Sequence, residues 1–276
     1  MPTPLTDFTV ISLAANVPGP VAAARLRDLG ARVIKVEPPF GDPLSVAGPS
    51  WYGDLHVGIG VRTLNLKDPA ERGELDRLLA GADLLLTANR PSALARLGLG
   101  WEAIHARFPR LCYVAIVGYP DDKADVAGHD LTYQASAGLL TPPHNPRTLL
   151  ADLAGAEQAV QAALSLLLER ERTNRAGYAQ VALSAAVERF TLPWRYGITR
   201  PGAVLGGGLP AYRLYATADG WIAVAALEPH FLARLLAELG LDDPDPDLLA
   251  AHFAQHSALH WQTWAEERDL PITAVK

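Results

Sequence analysis

The sequence predicts an α/β fold: a doubly wound, mainly parallel sheet over residues 1–185, then a smaller α+β domain over residues 186–276. Three observations point there. Runs that are apolar at every position, such as Leu111–Val117 (LCYVAIV), alternate with Ala- and Leu-rich helical patterns. Strands of that kind are buried on both faces and pair in parallel. Near residue 178 the character changes, and two strand patterns joined by Asp219-Gly220 give the strongest short hairpin signal in the chain. The length, 276 residues, is enough for one large domain or two.

Taken in order, Phe8–Ala14 (FTVISLA) is rich in β-branched residues and reads as the first strand. Asn16-Val17-Pro18-Gly19-Pro20 breaks it, and Val21–Leu29 follows as a helix stopped by Gly30. Arg32–Glu37 is the second strand, closed by Pro38-Pro39. Phe40–Gly60 is rich in Gly and Pro without a period, which predicts a loop. Val61–Leu66 is a strand, and Asp68-Pro69 caps and starts a helix over Ala70–Ala80. Asp83–Ala88 is an apolar strand; Pro91–Leu97 and Trp101–Phe108 are short helices before Leu111–Val117. Leu153–Arg172 lacks Pro and predicts a long helix, with Asp152 where its N-cap belongs. Tyr178–Leu183 predicts a strand and Ser184–Phe190 a short helix. A Gly- and Pro-rich linker, about 191–210, leads to the hairpin strands Tyr212–Ala218 and Trp221–Leu227. Pro229 opens an amphipathic helix ended by Gly240, and helices near Leu248–His256 and Leu259–Arg268 complete the small domain. Strands alternating with helices in this way describe a Rossmann-like sheet.

Composition narrows the function. Hydrophobic residues at 49% and charged residues at 20% describe a globular protein, and a net charge of −6 argues against nucleic acid as a partner. No run reaches the length of a membrane span and no cationic-plus-apolar leader opens the chain, which predicts a cytoplasmic protein without a membrane partner. The single cysteine, Cys112, lies in an apolar run and reads as a buried small hydrophobe.

A doubly wound sheet binds ligands at the carboxyl ends of its strands. The loops there are Ala15–Pro20, Glu37–Asp42, Asn89–Pro91 and Gly118–His129. They carry neither GxGxxG nor GxxxxGK[ST], which weakens dinucleotide and P-loop readings. Lys35, Lys67 and Arg90 stand near strand ends, where several cations together suit a phosphate-bearing ligand. His129 and Asp152 each open a helical segment, where side chains point into clefts more often than from a helix middle.

The succession LRDLGARVIKVEPPFGDP, LNLKDPAERGELDRLLAGADLLL, GHDLTYQASAG, LLADLAGAEQAV and LLERERT resembles, in that order, the family III CoA-transferases, which include the α-methylacyl-CoA racemases. GHDLTY and GWIAVAALEPHF are more similar to the racemase branch. The resemblance implies a CoA thioester substrate, with coenzyme A entering as part of the substrate, no prosthetic group and no metal. It implies a catalytic His129 and Asp152, a supporting Glu228, and CoA contacts at Lys35, Lys67, Arg90 and Arg96. It also implies a homodimer, interlocked as members of that family are, and a shortened member of its family. Three functions are compatible with it: a racemase or epimerase acting on a 2-methyl-branched acyl-CoA, a CoA-transferase working through an acyl-Asp152 intermediate, and a CoA-ester-binding member with little or no turnover. The Gly206-Gly207-Gly208 run resembles the mobile glycine loop of the transferases, or is a flexible linker.

Overall fold

Six strands pair in parallel throughout, and their order is what places the site. They are β1 (Thr9–Ser12), β2 (Arg32–Glu37), β3 (Gly60–Thr63), β4 (Leu84–Thr87), β5 (Cys112–Val117) and β6 (Tyr178–Ala182). In the computed structural model, which describes residues 3–276, they lie in the order β3-β2-β1-β4-β5-β6. The chain divides into two compact units, one ending at Thr191 and the other Leu192–Lys276.

The apolar strands are apolar because both their faces are covered. On β1, Val10 joins one core and Ile11 the other, and on β5 Val114 and Ala115 divide in the same way. The first core is closed by α1 (Pro18–Asp28) and by the long helix α8 (Leu150–Thr173), through Ala22, Leu26, Ala156 and Ala163. The second is closed by α4 (Pro69–Ala80), α5 (Pro91–Arg96) and α6 (Trp101–Arg107), through Leu75, Leu79, Leu94 and Ile104. This is the doubly wound α/β arrangement expected from the run of apolar strands.

The segment 40–60, expected as a loop, holds two short helices, α2 (Leu44–Ala47) and α3 (Pro49–His56). Here Asp42 accepts the Leu44 amide hydrogen at 2.9 Å, Pro49 supplies a ready-made first helical residue, and Tyr52 and Leu55 pack on the core. Tertiary packing, not periodicity, makes these helices.

The division at Thr191 lies beyond the expected boundary at 185. α9 (Leu183–Glu188) buries Leu183 and Val187 in the first unit's core and so belongs with the sheet. Within the second unit, α10 (Leu192–Arg195) precedes a three-stranded antiparallel sheet, β7 (Tyr212–Ala216), β8 (Trp221–Ala225) and β9 (Ile272–Ala274), in the order β7-β8-β9. α11 (Pro229–Leu239), α12 (Pro246–Phe253) and α13 (Ala258–Glu266) close its core around Leu235, Phe253 and Trp261. The strand β9 is three residues long and carries no pattern a sequence could show. The glycine run 206–208 is no slack linker: a Cβ on Gly206 would lie 1.8 Å from the Arg200 carbonyl oxygen, and one on Gly208 2.3 Å from that of Gly202. None of the described helices is long and apolar enough to cross a membrane.

Candidate active site

The strand order reverses between β1 and β4, so the segments leaving their carboxyl ends diverge and leave a crevice. A cavity of about 220 Å³ opens there. Asn16 enters its wall after β1, Asn89 and Arg90 after β4, and Gly118 after β5. His129, Tyr133 and Asp152 complete it from α7 (Asp130–Ser136) and α8. The two residues expected to be catalytic therefore line one cavity.

Each is placed by its helix start. His129 is the N-cap of α7 through its backbone: its N–H donates to Thr132 Oγ1 at 3.0 Å and its carbonyl accepts from the Thr132 amide at 2.8 Å. The residue is exposed, on the cavity wall.

Asp152 is not the N-cap of α8, contrary to expectation. The helix begins at Leu150, which puts Asp152 inside the first turn, and the amides of the turn are met by Asp130 instead. Asp130, buried at the start of α7, accepts from Ala151 N–H at 2.7 Å and from Asp152 N–H at 3.1 Å through Oδ1. Its Oδ2 accepts from Gln134 Nε2 at 2.5 Å, and the same nitrogen donates to the Thr148 carbonyl at 3.0 Å. A carboxylate borrowed from another segment caps α8, which releases the Asp152 carboxyl to face the cavity. Burial first, and then the charge of Asp130, push that carboxyl up to about 7.

Beside this crevice, across the ends of β2, β3 and β4, lies a larger apolar cavity of about 670 Å³. Leu64, Leu66, Leu94 and Leu97 line it, Lys67 and Glu37 stand on its wall, and Asn89 is common to both cavities. Arg90 lines the smaller cavity, whereas Arg96, exposed in the last turn of α5, lines neither. Lys35, expected as a CoA contact, is 1% exposed and held inside the protein. Its ammonium bonds Asp42, lies 2.9 Å from Glu37 Oε1 and 3.0 Å from His56 Nε2. Tyr52 donates to Glu37 Oε1 at 2.8 Å and stacks on His56. Burial holds the His56 imidazole below its ordinary value, favouring the neutral ring that such a crowded cation needs. Asp42 Oδ1 in turn accepts from Asn16 N–H at 3.0 Å, which fixes that residue in the left-handed region at φ 62° on the cavity wall.

Glu228 is the exposed N-cap residue of α11, in the second unit. Sequence reasoning missed Tyr133 as a cavity residue. Its signal was present, one helical turn after His129 and on the same face, but a tyrosine in an apolar helix reads first as core.

A histidine and an aspartate at the switch point of a doubly wound sheet, beside a larger apolar cavity with a lysine on its wall, lie where α/β folds of this class bind their ligands. The model of the CoA-transferase family III matches residues 5–276, and the chain belongs to that family. Alpha-methylacyl-CoA racemase of Homo sapiens is 33% identical, the match covering 98% of this chain and 77% of that protein. Succinyl-CoA–D-citramalate CoA-transferase of Chloroflexus aurantiacus is 30% identical, over 93% of this chain and 69% of its own length. Among solved structures, the hypothetical protein Rv3272 of Mycobacterium tuberculosis superposes with a TM-score of 0.86 at 28% identity, covering 99% of this chain and 84% of that one.

Proposed function

We propose that the protein removes and returns the α-proton of a 2-methyl-branched acyl-CoA thioester, as a racemase or epimerase. The observation that carries this reading is the pairing itself. Two acid–base side chains from separate segments line one cavity, and burial poises Asp152 near neutrality.

A thioester carbonyl acidifies the neighbouring C–H, but inversion needs a base on one face of the carbon and an acid on the other. With Asp152 ionised and His129 protonated, Asp152 takes the α-proton and His129 delivers one to the opposite face. The other epimer reverses the roles. A reversible exchange needs a carboxyl that can both take and return a proton near neutral pH, and burial brings Asp152 there. The nucleotide end of CoA is assigned to the 670 Å³ cavity, with Lys67 and Arg90 as the cations for its phosphates. For Arg96 and Glu228 the proposed roles rest on the family resemblance alone.

Deuterium from D2O washing into the α-position of 2-methylacyl-CoA tests the reading. Asp152→Asn and His129→Ala are each expected to slow it by about 10²–10⁴-fold while leaving CoA binding intact. Wild-type protein that binds the thioester without any exchange would sink the proposal.

The transferase relative favours a second reading, in which the Asp152 carboxylate attacks the thioester carbonyl and CoA leaves as its thiolate. The anhydride so formed is trapped by hydroxylamine. Mass labelling at Asp152 in the presence of acyl-CoA separates this reading from the first, because simple proton exchange leaves Asp152 unmodified.

A further inference from the structure

Tyr133 is a polar cavity residue that the proton exchange, as written, does not use. It is 3% exposed, and its ring packs edge-on against Tyr119 with 5.2 Å between centroids. Its hydroxyl makes no hydrogen bond to the described residues. The oxygen is not sealed into the core but reaches the cavity that Tyr133 lines, where a polar atom without a protein partner is placed to bond a ligand.

The surrounding backbone is shaped to admit this hydroxyl. A Cβ on Gly118 would lie 2.3 Å from its oxygen, and a Cβ on Gly128 would lie 2.7 Å from it. Both glycines line the same cavity as His129 and Asp152. A slot of two glycines keeps a phenol oxygen at the wall of the cavity that His129 and Asp152 share, and none of the described residues takes up its hydrogen.

Resting on the racemase reading, we propose that Tyr133 donates a hydrogen bond to the thioester carbonyl oxygen of the bound acyl-CoA and thereby sets the α-carbon between His129 and Asp152. Removal of the α-proton moves negative charge onto that oxygen, and a donor already in place stabilises the enolate without reorganising. No bond to Tyr133 forms or breaks: the α-proton goes to the base and the phenol keeps its own. Burial, helped by Tyr119 and the Asp152 charge, holds the phenol up at about 12, so it remains a donor across the working range.

Tyr133→Phe is a clean test because it keeps the packed ring and removes only an oxygen without protein partners. Two titrations and one rate are compared between wild type and variant: binding of 2-methylacyl-CoA, binding of its thioether analogue with CH2 in place of C=O, and α-deuterium incorporation. The variant is expected to lose about 5- to 10-fold in affinity for the thioester and nothing for the thioether. Exchange should fall about 10²-fold, with a melting temperature equal to or above that of wild type. Equal changes for both ligands, or no change for either, overturn the assignment. Discrimination between the ligands without exchange by the wild type would instead keep Tyr133 as the carbonyl donor and remove the racemase reading.

Discussion

At the scale of single residues, Asp130 has two effects that point in different directions. It caps α8 by accepting the Ala151 and Asp152 amides, and its charge raises the neighbouring Asp152 carboxyl. Asp130→Asn keeps an acceptor for the two amides and deletes the charge. The rate at which Asp152 deprotonates its epimer should therefore rise with pH through a midpoint below the wild-type value of about 7, read from the pH dependence of kcat/KM for deuterium incorporation. Asp152→Asn reports on the same group through stability. A carboxyl raised from 3.8 to about 7 holds its proton more tightly in the folded chain, so its stability contribution is present below about 3.8 and lost as pH rises through about 7. Melting curves should show the asparagine variant more stable than wild type at pH 8–9, with the gap closing as pH falls toward 4. The candidate pair was legible in the sequence, since both residues open segments. The capping role was not: Asp152 stands where a cap belongs, and only the fold reveals that another aspartate reaches across to do the work.

Among the elements, those whose pattern is local are the ones the sequence shows. Asp68 caps α4 as expected, its Oδ1 accepting from Ala70 N–H at 2.8 Å, and Gly240 ends α11 at φ 67°. The helices α2 and α3 escape the same reasoning because what holds them lies elsewhere in the chain. Lys35 belongs to this scale too. It marks a strand end in the sequence and so looks like a phosphate contact, but its neighbours Glu37 and Asp42 fold back onto it with Tyr52 and His56. Removing one partner of such a buried group leaves an uncompensated charge. Lys35→Met should cost about 3–5 kcal/mol in chemical denaturation, far more than Lys67→Met on the exposed cavity wall. The ratio of affinities for CoA and for dephospho-CoA should stay unchanged in Lys35→Met if its charge is engaged internally, and should change in Lys67→Met.

Across the whole molecule, parallel pairing and the sheet class follow from apolar runs alternating with helices, and the six parallel strands between Thr9 and Ala182 bear that out. The cavity is a product of topology rather than of any motif. Its wall is drawn from residues 15–18, 88–90, 116–133, 152 and 183, which meet only because β4 is laid beside β1. Acyl-CoA bound there should raise the melting temperature in proportion to the logarithm of its concentration, by mass action on the folded form. Asp152→Asn, which keeps the cavity walls, should retain that response. It follows that no proteolytic fragment ending before Leu183 carries a complete pocket. Two pieces of a nicked chain would have to come together again before either could hold the ligand, so recovered ligand affinity would serve as a gauge of reassembly.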